Sequence, residues 1–244
     1  MPDPQDEHRR AELVSALGAV RARIAEACAQ AGRDPHSVTL VAVTKTYPAQ
    51  DVATLARLGV TDVGESRDQE AAAKVAATAE LLGAEVSAPN WHFVGRLQSR
   101  KCRSVASYAA AVHSLDREVL VDRLADGVEA AGRGPLPVFL QVSLDGDPER
   151  GGVPAAGVAD LAGAVTERPQ LRLRGVMAVP PLDSDADAQF ARLAEVAAEL
   201  RSRHPQADGI SAGMSHDLEA AVRHGSTHVR VGTALLGRRP PVFG

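Results

Sequence analysis

Of the 27 basic residues only three are lysines: Lys45, Lys74 and Lys101. A primary amine can condense with a carbonyl, whereas a guanidinium near neutral pH cannot, so each lysine retained in so arginine-rich a chain is a candidate nucleophile. Lys45 closes the apolar run 38–44 and precedes Thr46-Tyr47-Pro48. An amine at the end of a buried strand is poorly solvated, which favours its neutral, nucleophilic form. Taken alone, a lysine snorkelling to solvent fits that position equally well. Lys74 falls on a polar helix face and reads as a surface residue retained by chance. The two cysteines, Cys28 and Cys102, have no metal-ligand spacing around them and read as reduced thiols of a cytoplasmic chain.

A second constellation lies near the C-terminus. Ser211-Ala212-Gly213-Met214-Ser215 and Arg230-Val231-Gly232-Thr233 put small residues and hydroxyls at two strand ends. Such ends suit a phosphate, held by backbone N–H groups and Ser/Thr oxygens. A Gly-Thr pair alone is usually just a turn; its place in the chain is what gives it weight.

The elements that must position these residues alternate regularly. A helix over 7–32 has Leu13, Leu17, Val20, Ile24 and Cys28 at helical spacing. Apolar runs then fall at 38–44, 62–64, 91–95, 110–114, 138–144, 171–179, 209–214 and 228–235. Helical stretches lie between them at 49–58, 69–82, 98–107, 117–131, 155–168, 186–203 and 217–224. Strands alternating with helices imply a parallel sheet. Eight repeats in about 250 residues match a (β/α)₈ TIM-type barrel, and no Gly-x-Gly-x-x-Gly supports a dinucleotide fold. The expectation is an α/β chain with one domain over 1–244, the extra N-terminal helix at 7–32 and a barrel at 38–239.

Barrel closure sets strand eight beside strand one, at the end where barrel sites sit. Lysine and phosphate cradle would then share a pocket suited to an aldehyde-bearing phosphate ester. Pyridoxal 5'-phosphate (PLP) is the leading candidate.

Composition excludes several other classes. The net charge of −4 leaves no basic footprint for nucleic acid. No apolar run approaches the roughly 18 residues of a spanning helix, and no basic amphipathic face marks a membrane binder. Residues 1–10 are polar, without a secretory core, consistent with a cytoplasmic protein.

Seven ordered strings extend the reading. They are Val41-Ala42-Val43-Thr44-Lys45, Gly64-Glu65-Ser66, Trp91-His92-Phe93-Val94-Gly95-Arg96-Leu97-Gln98-Ser99 and Val112-His113-Ser114-Leu115-Asp116, followed by Leu173-Arg174-Gly175-Val176-Met177, Gly213-Met214-Ser215-His216-Asp217 and Val229-Arg230-Val231-Gly232-Thr233. In register over about 38–239, they resemble the pyridoxal-phosphate homeostasis protein family, whose single barrels are similar to the N-terminal domain of alanine racemase. The resemblance implies a carrier or buffer that holds PLP as a Schiff base on Lys45, without robust catalytic activity. It implies phosphate contacts from Ser215, Gly232 and Thr233, a turn shaped by Gly213 and Met214, and Arg230 near the pyridine nitrogen. His92, Met177 and Ser211 would line the ring pocket, although His92 reads equally well as a hydrogen-bonded interior histidine. The implied partners are PLP and apo PLP-dependent enzymes, with no nucleic acid, membrane or metal, in a monomer or weak dimer. A second PLP site near Arg238 and Arg239 is not legible, because both read equally well as solvated charges.

The chain departs from the family pattern at Ser66 and Ser143, where asparagine is usual, and at Arg100 and Ala212. These substitutions bear on placement of the ring rather than on the lysine or the phosphate elements. Two other functions compete. A PLP-dependent amino-acid racemase of the alanine racemase type needs a tyrosine base from a further β domain. The chain ends at Gly244 after strand eight, and its tyrosines are Tyr47 and Tyr108. An aldolase using Lys45 on a sugar-phosphate aldehyde would contain no PLP, which an absorbance spectrum distinguishes.

Overall fold

The computed structural model describes residues 4–147, 150–181 and 183–237. Positions 238 and 239, which close the barrel span expected from sequence, lie outside them. Eight parallel strands form a closed barrel in sequential order, with the last pairing back to the first. They are β1 (Thr39–Val43), β2 (Asp62–Glu65), β3 (Asn90–Phe93), β4 (Ala111–Leu115), β5 (Leu136–Gln141), β6 (Leu171–Met177), β7 (Gly209–Ser211) and β8 (His228–Val231). Around them run α1 (Pro4–Gln30), α2 (Ala49–Arg57), α3 (Asp68–Leu82), α4 (Cys102–Tyr108), α5 (Glu118–Ala130), α6 (Val158–Thr166), α7 (Ala186–Arg203) and α8 (Leu218–Arg223), and the single turn α9 (Thr233–Leu236) follows β8.

The expected alternation is borne out, and the differences lie at strand ends. β8 stops at Val231 rather than running to 235, because Gly232 leaves the sheet and caps α9. β7 stops at Ser211, and Lys45 stands in a turn two residues beyond β1. Side chains that leave the strands here are freed from the pleat.

Outward-facing strand residues pack under the helices in two large apolar clusters. α1 joins one of them through Leu13, Leu17, Val20, Ile24, Ala27 and Cys28. Burying each large aliphatic contributes about 1.5–3 kcal/mol. The accompanying Arg9–Asp51 and Arg23–Glu219 pairs, being partly exposed, contribute about 0–1 kcal/mol each. Apolar burial therefore holds α1 against the barrel, and the arginines set its register.

The barrel interior is unusually polar. Besides Phe139 and Met177, it holds His92, His113, Ser211 and Arg230, all at most 5% exposed, with the half-buried His228 beside them. The ring of His113 lies 4.5 Å from that of Phe139 and 5.0 Å from that of His92.

Candidate functional site at the C-terminal mouth of the barrel

Lys45 follows β1 at the carboxyl end of the barrel and is half-buried. The ladder continues one residue past the strand, Thr44 N–H donating to the Gly64 carbonyl at 2.9 Å. Thr46, next after Lys45, has φ of +72°, a conformation unfavourable for a β-branched residue. Such a turn persists only when its surroundings hold it. The holding group lies outside the barrel wall. Lys74 on α3 donates to the Thr44 carbonyl at 2.8 Å and to Glu65 Oε1 at 2.7 Å, while the Thr44 hydroxyl donates to the same carboxylate oxygen at 2.7 Å.

This corrects the surface reading of Lys74. It is 9% exposed and lies on α3's buried stripe with Ala71, Thr78 and Leu82. The 3,4 spacing of that stripe was visible, but a lysine among alanines looks like a solvated face until Glu65 is placed beneath it. All three lysines gather at this end of the wall, Lys101 pairing with Asp68 at 3.3 Å.

The second half of the site sits beside Lys45. Ala42 pairs with Val231, and a Cβ placed on Gly232 would stand 3.4 Å from the Val43 carbonyl oxygen. The β1 and β8 ends thus meet edge to edge. Gly232 and Thr233 open α9, and the Ala234 N–H donates to Ser215 Oγ at 3.2 Å, joining the β7 and β8 loops. Gly213 makes the turn possible with φ of +93°, and a Cβ there would lie 2.7 Å from that of Ala221. Met214 N–H donates to Asp217 Oδ1 at 2.6 Å. Arg23 on α1 braces the loop from outside, donating to the Ser215 carbonyl at 3.0 Å. Sequence reasoning had no signal for that contact, which depends on how the extra helix docks.

The floor of the mouth is Arg230. Nη1 donates to the carbonyl and hydroxyl of Ser211 at 2.6 and 2.7 Å, and Nη2 donates to the Ala178 carbonyl at 2.9 Å. Burial pushes its guanidinium down to about 10, leaving it cationic at neutral pH. Met177 is Ser211's partner across the β6–β7 ladder. Met177, Arg96 and Ser143 line a recess of about 440 Å³. Ser66, Arg96, Arg100 and Lys101 line a second, of about 410 Å³. His92 lies deeper, with both ring nitrogens bonded, to His113 at 2.8 Å and to Asp62 at 2.9 Å.

The structure therefore gathers Ser215, Gly232 and Thr233 beside the Lys45 turn, with Gly213 and Met214 behind them and Arg230, Ser211 and Met177 below. His92 belongs to the barrel interior. Small residues, hydroxyls and helix-opening amides on one side, a lysine on another and a buried cation beneath form a donor set that fits an anionic aldehyde with an aromatic nitrogen.

Comparison with known proteins agrees with this architecture. Residues 16–240 match the family model of the alanine racemase N-terminal domain, the class that the barrel and its lysine turn define. A pyridoxal phosphate homeostasis protein of Mycobacterium leprae is 48% identical over 240 residues, covering 94% of this chain and 93% of the relative. One from Escherichia coli K12 is 41% identical over 231 residues, covering 93% and 97%. The chain belongs to this family of pyridoxal phosphate homeostasis proteins. Among solved structures, PipY of Synechococcus elongatus, described with PLP bound, superposes with a TM-score of 0.76 at 34% identity, covering 88% of this chain and all of that one.

Proposed function

We propose that this protein binds PLP reversibly as a Schiff base on Lys45 and acts as a cytoplasmic carrier or buffer of the cofactor. The observation that carries the reading is the junction of the Lys45 turn with the Ser215/Gly232/Thr233 loops, where an amine and a phosphate cradle share one mouth. Two reduced, buried cysteines support the cytoplasmic setting, and among the described residues no helix is long and apolar enough to cross a membrane.

When bound, PLP supplies an aldehyde that exchanges between amines and a pyridine ring that can withdraw electrons. Lys45 provides the amine. Ser215 and Thr233 offer hydroxyls to the phosphate, and Gly232 allows close backbone approach. Arg230, cationic and without a proton acceptor, suits an unprotonated pyridine nitrogen and so keeps the ring a weak electron sink. Ser211, Met177, Gly213 and Met214 bound the ring pocket, with Ser66 at its edge and His92 beneath. That combination favours holding and releasing the cofactor over carbanion chemistry. Apo PLP-dependent enzymes are the expected recipients, and a monomer or weak dimer suffices because one chain supplies every residue named.

A visible spectrum taken with PLP, before and after borohydride reduction, tests the reading. Peptide mapping is expected to find the reduced adduct on Lys45; an adduct elsewhere, or none, overturns it.

A further inference from the structure

Five side chains form an unbroken hydrogen-bonded file across the barrel interior. From Arg230 on β8 it passes to Ser211 Oγ on β7, 2.7 Å away, and then over 2.7 Å to His113 Nδ1 on β4. From His113 Nε2 it crosses 2.8 Å to His92 Nδ1 on β3, and His92 Nε2 ends it 2.9 Å from Asp62 Oδ1 on β2. Asp62 is the first residue of its strand, so the file runs from the floor of the candidate site to the opposite mouth of the barrel.

The chemistry of the two ends fixes its direction. A guanidinium only donates, so Ser211 Oγ accepts from Arg230. That oxygen keeps a second lone pair, so in this unexposed site its hydroxyl could donate to His113 Nδ1 or accept from it, and the Asp62 end decides which. His113 is wholly buried and is held neutral chiefly by that burial, so it carries one ring proton. The Asp62 carboxylate, which only accepts, draws the His92 proton to Nε2 and so leaves the His113 proton on Nε2, facing His92 Nδ1. His92 accepts that proton on Nδ1, therefore carries its own on Nε2, and donates to a carboxylate, which only accepts. Reversing any link would set two donors or two lone pairs face to face, at the cost of an unsatisfied buried polar group.

We propose that Asp62 is a positioning residue for Arg230: by accepting from His92 it fixes the tautomers of both histidines and the orientation of the Ser211 hydroxyl on which the guanidinium rests. The proposal rests on the reading of Arg230 as the cation beneath the cofactor ring, and it adds a determinant on the far side of the barrel. Asn90 and Thr61 donate to the same carboxylate, at 3.1 and 2.6 Å, and hold it in place.

The test is nitrogen-detected NMR of the histidine and arginine side chains in the protein without PLP, followed by PLP titration. In the parent both His92 and His113 are expected as Nε2–H tautomers. Asp62→Ala is expected to change both tautomers, shift the Arg230 guanidinium resonances and weaken PLP binding about tenfold. Asp62→Asn keeps an accepting oxygen and is expected to retain the tautomers and bind within about twofold of the parent. An Nδ1–H tautomer at either histidine in the parent overturns the proposal, as do unchanged Arg230 resonances in Asp62→Ala. A parent that fails to bind PLP overturns the function proposed above, while the tautomers and the Arg230 resonances still decide this inference.

Discussion

Lys74 Nζ, on the outside of the barrel wall, stands 2.8 Å from the carbonyl oxygen of Thr44, the residue before Lys45. The amine expected at the surface is thus part of what holds the Lys45 turn. Its ion pair with Glu65 is buried on both sides, the two side chains being 9% and 0% exposed. Removing one partner of a buried pair leaves an uncompensated charge and costs about 3–5 kcal/mol. Lys74→Met is therefore expected to lower the melting temperature by on the order of 10 °C in a chain of this size. Lys74→Met with Glu65→Leu should recover much of the loss, because no charge is then stranded. Thermal unfolding of the single and double variants, followed by circular dichroism, checks this.

Lys45→Ala is expected to abolish the visible absorbance of the lysine-bound cofactor. Weak non-covalent binding should persist, because Ser215 and Thr233 remain. After borohydride reduction of the parent, neither Lys74 nor Lys101 should carry the adduct. A parent-like spectrum in Lys45→Ala would assign the chemistry to another amine.

The proposed phosphate cradle predicts a discrimination as well as an affinity. Ser215→Ala with Thr233→Ala removes two hydroxyl donors to a dianion, each worth about 1.5–3 kcal/mol. PLP affinity should fall by roughly two orders of magnitude or more, non-additively because both groups share one ligand. Pyridoxal, which lacks the phosphate, should bind the parent almost as poorly. Equal affinity for PLP and pyridoxal in a titration would refute the cradle.

Legibility in the sequence followed physical range. The barrel was readable because each strand and helix carries its own period, and the adjacency of the Lys45 turn to Gly232 and Thr233 was readable because barrel topology alone brings the first and last strand ends together. The file from Arg230 to Asp62 was not. Asp62, His92 and His113 lie on three strands whose shared interior depends on register, and a lone interior histidine shows no partner until the barrel closes. Lys74 was misjudged for a related reason. Its counter-ion Glu65 lies nine positions earlier, across a strand-to-helix turn that no helical spacing rule covers.

The interior histidines also predict acid sensitivity. Burial, as the largest cause, lowers His228 to about 4 from its ordinary 6.5; His113 is lowered as well, again chiefly by burial. A depressed folded-state value means that the unfolded chain takes up the proton first. The stability is then fully present above about pH 6.5 and is lost as pH falls toward about 4. For His228 the loss approaches about 3 kcal/mol at its limit. Urea unfolding at pH 7.5 and pH 5 should show lower stability at pH 5, and His228→Gln should flatten the dependence. A parent equally stable at both values would show that these rings are not held neutral.

The last prediction concerns turnover. Racemisation at an amino-acid α-carbon uses a base on each face, and a well-placed acid–base group typically contributes about 10²–10⁴ in rate. Lys45 can serve one face, but neither tyrosine is set to serve the other. The Tyr47 hydroxyl donates to the Gly237 carbonyl at 2.8 Å. Tyr108 lies on α4 outside the barrel, its phenol pushed well above the ordinary range by burial and then by Asp68 and Glu65. With Arg230 beneath the ring, as proposed, electron withdrawal would be weak as well. The protein is therefore expected to bind PLP and transfer it to an apo-enzyme, yet to show no efficient racemisation, decarboxylation or transamination across a panel of L- and D-amino acids. A kcat of about 1 s⁻¹ or more for any of these, the ordinary range for enzymes, would replace the carrier reading with a racemase-type enzyme. Slow turnover no faster than that of free PLP would leave the carrier reading in place, since a chain that only shelters the cofactor adds little to its intrinsic chemistry.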